Sequence, residues 1–137
     1  MTEAPTVTST KDTITEFFTR FGAGDRDGML ALFAEDTDFL VAGSATVPWT
    51  GRREGAVGIR AFIDSVCDDV ETKRFDIDTI VVDGDDGVVL GSFAHLVLRT
   101  GRIFTGPFAL HIAVRDGRIR VYHMFEDSHA ASIAFAE

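Results

Sequence analysis

A chain of 137 residues with a formal net charge of −9 is long enough for one domain that buries roughly two-thirds of its unfolded surface. The acidic balance argues against nucleic acid or an anionic membrane surface as a partner, since both would repel it. The single cysteine, Cys67, excludes an intramolecular disulfide framework. No apolar run approaches the ~18 residues of a membrane span, and no charged-then-apolar leader opens the chain, so a soluble, cytoplasmic protein is expected. Twelve Phe against one Tyr and one Trp fill space without needing hydrogen-bond partners. A large apolar interior follows, either an ordinary core or a ligand cavity.

Residues 1–9 are small and polar and read as a disordered tail ahead of one domain over 10–137. The first helix is expected over 11–23: Ser9 and Asp12 resemble a capping box, and Ile14, Phe17, Phe18 and Phe21 form one apolar face. Asp25 caps a second helix, 26–34, burying Met29, Leu30 and Phe33. A strand over 37–41 leads into a loop, 42–55, that carries Pro48, Trp49 and Gly51. The third helix, 57–69, buries Ile59, Phe62, Ile63, Val66 and Cys67, which makes Cys67 a core residue rather than a reactive thiol. Alternation marks a strand over 75–81, and the acidic turn Asp83–Gly87 lacks the ligand spacing of a calcium loop.

Three long neighbouring strands follow, 88–99, 103–115 and 118–126, joined at Thr100-Gly101 and Asp116-Gly117. Asp-Gly between extended runs is a strong hairpin signal, because both central residues need positive φ. Strands this long bend, and a bent sheet wraps around something. A short helix over 128–135 closes the chain. The fold expected is α+β: a curved antiparallel sheet wrapped on three helices to form a cone with an apolar cavity.

The segments AEDTDFLV, PWTGRREGAVGIRAFI and VRDGRIRVYHMFEDSHAASIAF resemble the nuclear transport factor 2-like superfamily. Within it the chain is most similar to the SnoaL-like branch, whose relatives include ketosteroid isomerase, limonene-epoxide hydrolase and polyketide cyclases. The resemblance spans residues 11–135 and implies the cone, but it does not choose among isomerases, hydrolases, dehydratases and non-catalytic binders. The polar positions that the isomerases and epoxide hydrolases use fall on Phe39 and Val41 in the first strand, on Gly91 and Phe93 where an Arg-x-Asp is implied, and on Met124 where an Asp is implied, so the water-activating triad is missing. The cyclase histidine has its nearest counterpart in His111, which the same alignment turns outward. The family also commonly pairs two subunits through the outer sheet face, so the resemblance implies a homodimer through the convex face, with His111 and His123 at the interface.

Alternation along the long strands, in the register that the resemblance at 117–127 implies, points Phe93 and His95, then Phe104, Phe108 and Leu110, then Tyr122, Met124 and Glu126 into the hollow. Ile119, Val121 and Phe125 form a competing apolar set on the last strand. His95, Glu126 and, at the edge, Asp127 are the candidate catalytic residues. Phe17, Phe39, Trp49, Phe62, Phe93, Phe108, Leu110, Tyr122 and Met124 are the candidate substrate-binding residues. An apolar chamber destabilises a charged histidine and a nearby carboxylate restores it, so a His95–Glu126 pair would move a proton between carbons. A histidine hydrogen-bonded into the wall is the structural alternative. Trp49 reads as a lid, a stacking surface or a plug at the mouth, and the neighbouring Arg52 and Arg53 as solvated. Four histidines without an i, i+4 pair give no zinc signature, and no cofactor is expected. The leading expectation is a cofactor-free isomerase, cyclase or dehydratase acting on a small apolar carbonyl or polyketide-type compound. The alternatives are a small-ligand-binding or scaffolding protein, and a chamber that only orients a reactive substrate.

Overall fold

The computed structural model describes residues 9–136. Most of the expected disordered tail lies outside the described residues; Ser9 is the N-cap of the first helix, its hydroxyl accepting the Asp12 N–H at 3.0 Å. Helix α1 (Thr10–Gly22) and the short α2 (Arg26–Ala31) precede strand β1 (Phe33–Val41). A three-residue strand β2 (Gly51–Arg53) leads into α3 (Gly55–Asp69). Four strands follow, β3 (Val70–Asp83), β4 (Asp86–Val97), β5 (Ile103–Arg115) and β6 (Arg118–Glu126), and α4 (Ser128–Phe135) closes the chain.

The strands form one open sheet in the order β2-β1-β6-β5-β4-β3. Strands β3 to β6 are antiparallel neighbours, as expected, but β1 lies parallel to β6, so the sheet is mixed. The α+β architecture stands, with the helices packed on one face. Its core is the inner sheet face against α1 and α3: Ile14, Phe17, Ile59, Phe62 and Ile63 meet Val89, Phe93, Leu110, Ile112 and Tyr122. At the tip between β5 and β6, Asp116 and Gly117 both take positive φ (55° and 73°), the conformation that the Asp-Gly pair announces.

Three elements depart from the expected boundaries. Helix α2 stops early because Phe33 already pairs with Ile119, and Leu32 C=O accepts the Ile119 N–H at 2.8 Å. A shift in register between Phe33 and Asp38 then interrupts β1. There the Thr37 hydroxyl donates toward both Ala34 C=O (2.6 Å) and Ile119 C=O (2.8 Å). Strand β3 is twice as long as expected, because its first part (Glu71, Thr72, Lys73, Arg74) is polar and lacks the apolar alternation. As an edge strand with two register shifts it tolerates those charges. In β6 a bulge places Arg120 between the pairs Ile119–Val114 and Val121–Ala113. One extra residue reverses the alternation. Both Ile119 and Tyr122 therefore point inward and are buried, while Phe125 is exposed, which resolves the competing apolar sets.

Candidate functional site

Between the helices and the inner sheet face lies a chamber of about 60 Å³. Phe17 and Phe62 come to it from α1 and α3, Val41 from β1, Phe93 and His95 from β4, and Tyr122, Met124 and Glu126 from β6. Trp49 arrives from the loop between β1 and β2. Strand alternation does the placing, since residues two apart share a face. Phe18, Phe21, Val66, Cys67 and Phe75 complete the wall where the chamber opens between α1, α3 and β3.

Three expected binding residues do not line the chamber. Phe39 stacks flat on Tyr122 at 4.8 Å and 4°, Phe108 stacks on Phe93 at 5.8 Å, and Leu110 is fully buried. They point inward as expected but form the layer beneath the lining. Phe108 can lie there because Gly91 has no side chain: a Cβ at that position would come within 2.8 Å of the Phe108 ring. Asp127 is also outside the chamber. Its carboxylate caps α4, accepting the Ala130 N–H at 3.0 Å, which explains an acid at that position without chemistry. Cys67 is half-buried at the opening rather than in the core, and burial pushes its thiol pKa up.

His95 is buried on β4, its ring centroid 4.4 Å from that of Phe93 and 5.5 Å from that of Phe104. Its Nδ1 lies 3.1 Å from the Thr72 hydroxyl on the neighbouring strand. Burial alone depresses its pKa from 6.5 to about 4, so the imidazole is neutral at physiological pH. Glu126 is half-buried, and desolvation shifts it in the opposite direction from His95. Desolvation raises its pKa, the hydrogen bond from Trp49 lowers it in part, and the charge of Asp127 raises it further. Trp49 Nε1 donates to Glu126 Oε1 at 2.6 Å, a short charge-assisted bond.

The expected His95–Glu126 pair does not form. No hydrogen bond or ion pair joins them among the described residues, and neither appears among the causes that shift the other. Trp49 touches both, its indole edge-on to His95 at 6.2 Å while its N–H serves Glu126. Packed also against Phe104 and Phe135, Trp49 is 3 % exposed, so in this conformation it plugs the end of the chamber. Helix α4 is fastened over that end by the β4–β5 turn: Arg99, Thr100 and Arg102 donate to the carbonyls of Phe135, Ala134, and Ile133 and Ala136 respectively. Cations at a helix C-terminus complement its dipole.

Tyr122 is the third polar group of the chamber. Phe17, Phe33, Phe39 and Phe62 surround its ring, and among the described residues its hydroxyl has no hydrogen-bond partner. Burial first, and then the charge of Glu126, push its pKa up, so the phenol is a neutral donor. On the outer face, His111 Nε2 lies 2.9 Å from Asp86 and His123 Nε2 lies 3.1 Å from Asp38, with the two rings 6.1 Å apart. His129 is exposed on α4. Arg52 pairs with Asp38 at 2.9 Å, and Arg53 donates to Pro48 C=O at 3.0 Å. No group of His, Cys, Asp and Glu that could hold a metal ion occurs among the described residues, and no helix among them is long and apolar enough to cross a membrane.

Comparison with solved structures gives the same fold at low identity. An NTF2-like protein from Burkholderia xenovorans LB400 is 24% identical, with a TM-score of 0.84, and the alignment covers 95% of this chain and 99% of that one. TerC, co-crystallised with polyporic acid, is 22% identical over 92% of this chain and 97% of its own, with a TM-score of 0.80. A Bacillus subtilis protein provisionally named an isomerase is 21% identical over 92% and 91%, with a TM-score of 0.80. No curated protein matches the sequence significantly. The SnoaL-like domain family matches residues 14–122, most of the sheet and of α1 and the whole of α2 and α3, and the chain therefore belongs to the SnoaL-like family.

Proposed function

We propose that this protein catalyses cofactor-free proton transfer on a small, largely apolar carbonyl compound, in an isomerisation, cyclisation or dehydration. The observation that carries the reading is one half-buried carboxylate, Glu126, lining the same chamber as a neutral imidazole and an unpartnered phenol. A general base works best with a pKa near the working pH. Burial moves Glu126 toward that range and moves His95 away from it, so the base is Glu126 and not His95. The Glu126 carboxylate takes a proton from the carbon next to the carbonyl. The developing negative charge on the carbonyl oxygen accepts a hydrogen bond from the Tyr122 hydroxyl. The proton then returns from Glu126 to another carbon of the same molecule, or the enolate carbon attacks a second carbonyl within it, closing a ring, and the alkoxide so formed takes the proton back from Glu126. His95, neutral and held by Thr72, serves as a hydrogen-bonding wall group. The TerC complex and the isomerase name of the Bacillus protein support a small-molecule reading.

Solvent deuterium exchange at the α-carbon of a panel of alkyl and aryl ketones, followed by NMR, tests the assignment. Glu126→Gln should slow exchange by about 10²–10⁴-fold, and His95→Gln should retain most of it. Equal exchange by the wild type and Glu126→Gln would overturn the reading. Binding without chemistry is the second reading, favoured by the engagement of Glu126 Oε1 with Trp49; ketones that bind but never exchange would establish it. We further propose that the protein works as a homodimer joined through the outer sheet face.

A further inference from the structure

We infer that the ligand of this chamber is an elongated, uncharged carbonyl compound whose tail lies in the outer groove between α1, α3 and β3. The inference rests on the proton-transfer reading for the identity of the reacting end. The chamber, at about 60 Å³, holds only about four or five waters, enough for a carbonyl and its neighbouring carbons. Directly outside it is a groove of about 830 Å³. The two spaces share Phe18, Phe21, Val66, Cys67 and Phe75, so they meet along one apolar wall. Beyond that wall the groove continues over Ile77 and Leu98, which are 37% and 55% exposed.

Charge settles the nature of the tail. Arg26 stands on the groove, but it already serves Asp64 at 3.0 Å and Asp68 at 2.6 Å. Glu71, the other charged lining residue, is paired with Lys73 at 3.0 Å. Arg60, beside them, serves Asp27 and Asp64. An anionic tail would find each of these cations occupied, with more carboxylates than cations around Arg26, on a chain of net charge −9. An uncharged tail gains the apolar wall and meets no such penalty.

Three methyl ketones test this: 2-butanone, 2-nonanone, and 8-oxononanoate, which has the same chain length and ends in a carboxylate. Trp49 is the only tryptophan of the chain and lines the chamber, so its fluorescence reports binding independently of any reaction. 2-Nonanone should bind at least about tenfold more tightly than 2-butanone, and at low salt 8-oxononanoate should lose about tenfold of that gain. The double variant Ile77→Asp/Leu98→Asp, at exposed positions, should remove the gain of 2-nonanone and leave 2-butanone unchanged. Equal binding of 2-butanone and 2-nonanone, or a gain that survives the double variant, overturns the groove assignment. Equal binding of the two nonyl ligands overturns the charge assignment. Tail-dependent binding without deuterium exchange would instead defeat proton transfer and leave the groove standing.

Discussion

Burial acts on His95 and Glu126 with opposite consequences for pH dependence. His95 stays neutral in the folded protein down to about pH 4, whereas its ordinary pKa is 6.5. Between those values the unfolded chain binds a proton that the folded chain does not. Its contribution to stability is therefore complete above about pH 6.5 and is lost as the pH falls to about 4, a full swing of about 3 kcal/mol. The raised pKa of Glu126 works the other way, contributing at low pH and fading as the pH rises through its folded value. His95→Phe keeps an aromatic ring against Phe93 and removes the titration. Urea denaturation should show the wild type losing stability between pH 6.5 and 4.5 and the variant losing much less; parallel curves would refute the burial argument. Trp49 has a separate effect. Its N–H favours the charged form of Glu126, so Trp49→Phe should raise the Glu126 pKa and shift the acid limb of the exchange–pH profile upward. The polar residues of the chamber were legible from alternation only once the family resemblance anchored the register, since the two apolar sets of β6 compete. Their partners were not: Thr72 and Trp49 lie 23 and 77 residues from the groups they serve, and no local pattern links them.

At the scale of elements, periodicity revealed those with one dry face and one wet face, and failed where a tertiary contact overrode it. The Phe pattern of α1 and the hairpin β5–β6 appear where expected because local signals and packing agree. The bulge at Arg120, the start of β1 at Phe33 and the polar first part of β3 are set by neighbouring strands and leave no trace in the chain's own alternation. Gly91 illustrates the same limit. In the sequence it marks only a missing arginine; in the sheet it is the position where a Cβ would meet Asp76 C=O at 2.1 Å and the Phe108 ring at 2.8 Å. Backbone on one side and a buried ring on the other leave nothing free to move. Gly91→Ala should cost at least about 1–3 kcal/mol by overpacking, read as a lower urea midpoint. An unchanged midpoint would mean that β3 shifts freely away from β4.

The whole molecule presents its outer sheet face as an unpartnered surface. Cross-strand pairing aligns Thr79, Leu90, Ala109 and Phe125 in one row and Val81, Val88, His111 and His123 in the adjacent one. Val81, Leu90 and Phe125 are 53%, 42% and 49% exposed. A contiguous apolar patch of this kind is uncommon on a monomer. Polar pairs bound it, the Arg74–Asp76 ion pair on one side and His123 beside Asp38 on the other, the arrangement of a dry centre inside a polar rim. A two-fold axis through the patch would set Leu90 and Phe125 of one copy against the same rows of the other, and a stable pair needs about 800 Å² buried on each partner. Leu90 lies on the outer face and takes no part in the chamber, so Leu90→Glu leaves the site intact. In a dimer it would place two carboxylates in a desolvated centre with no cation between them. Light scattering at micromolar concentration should give twice the 14.9 kDa chain mass for the wild type and the single-chain mass for Leu90→Glu, with ketone binding retained. A wild-type monomer, or a Leu90→Glu variant that remains dimeric, would exclude this face as the interface.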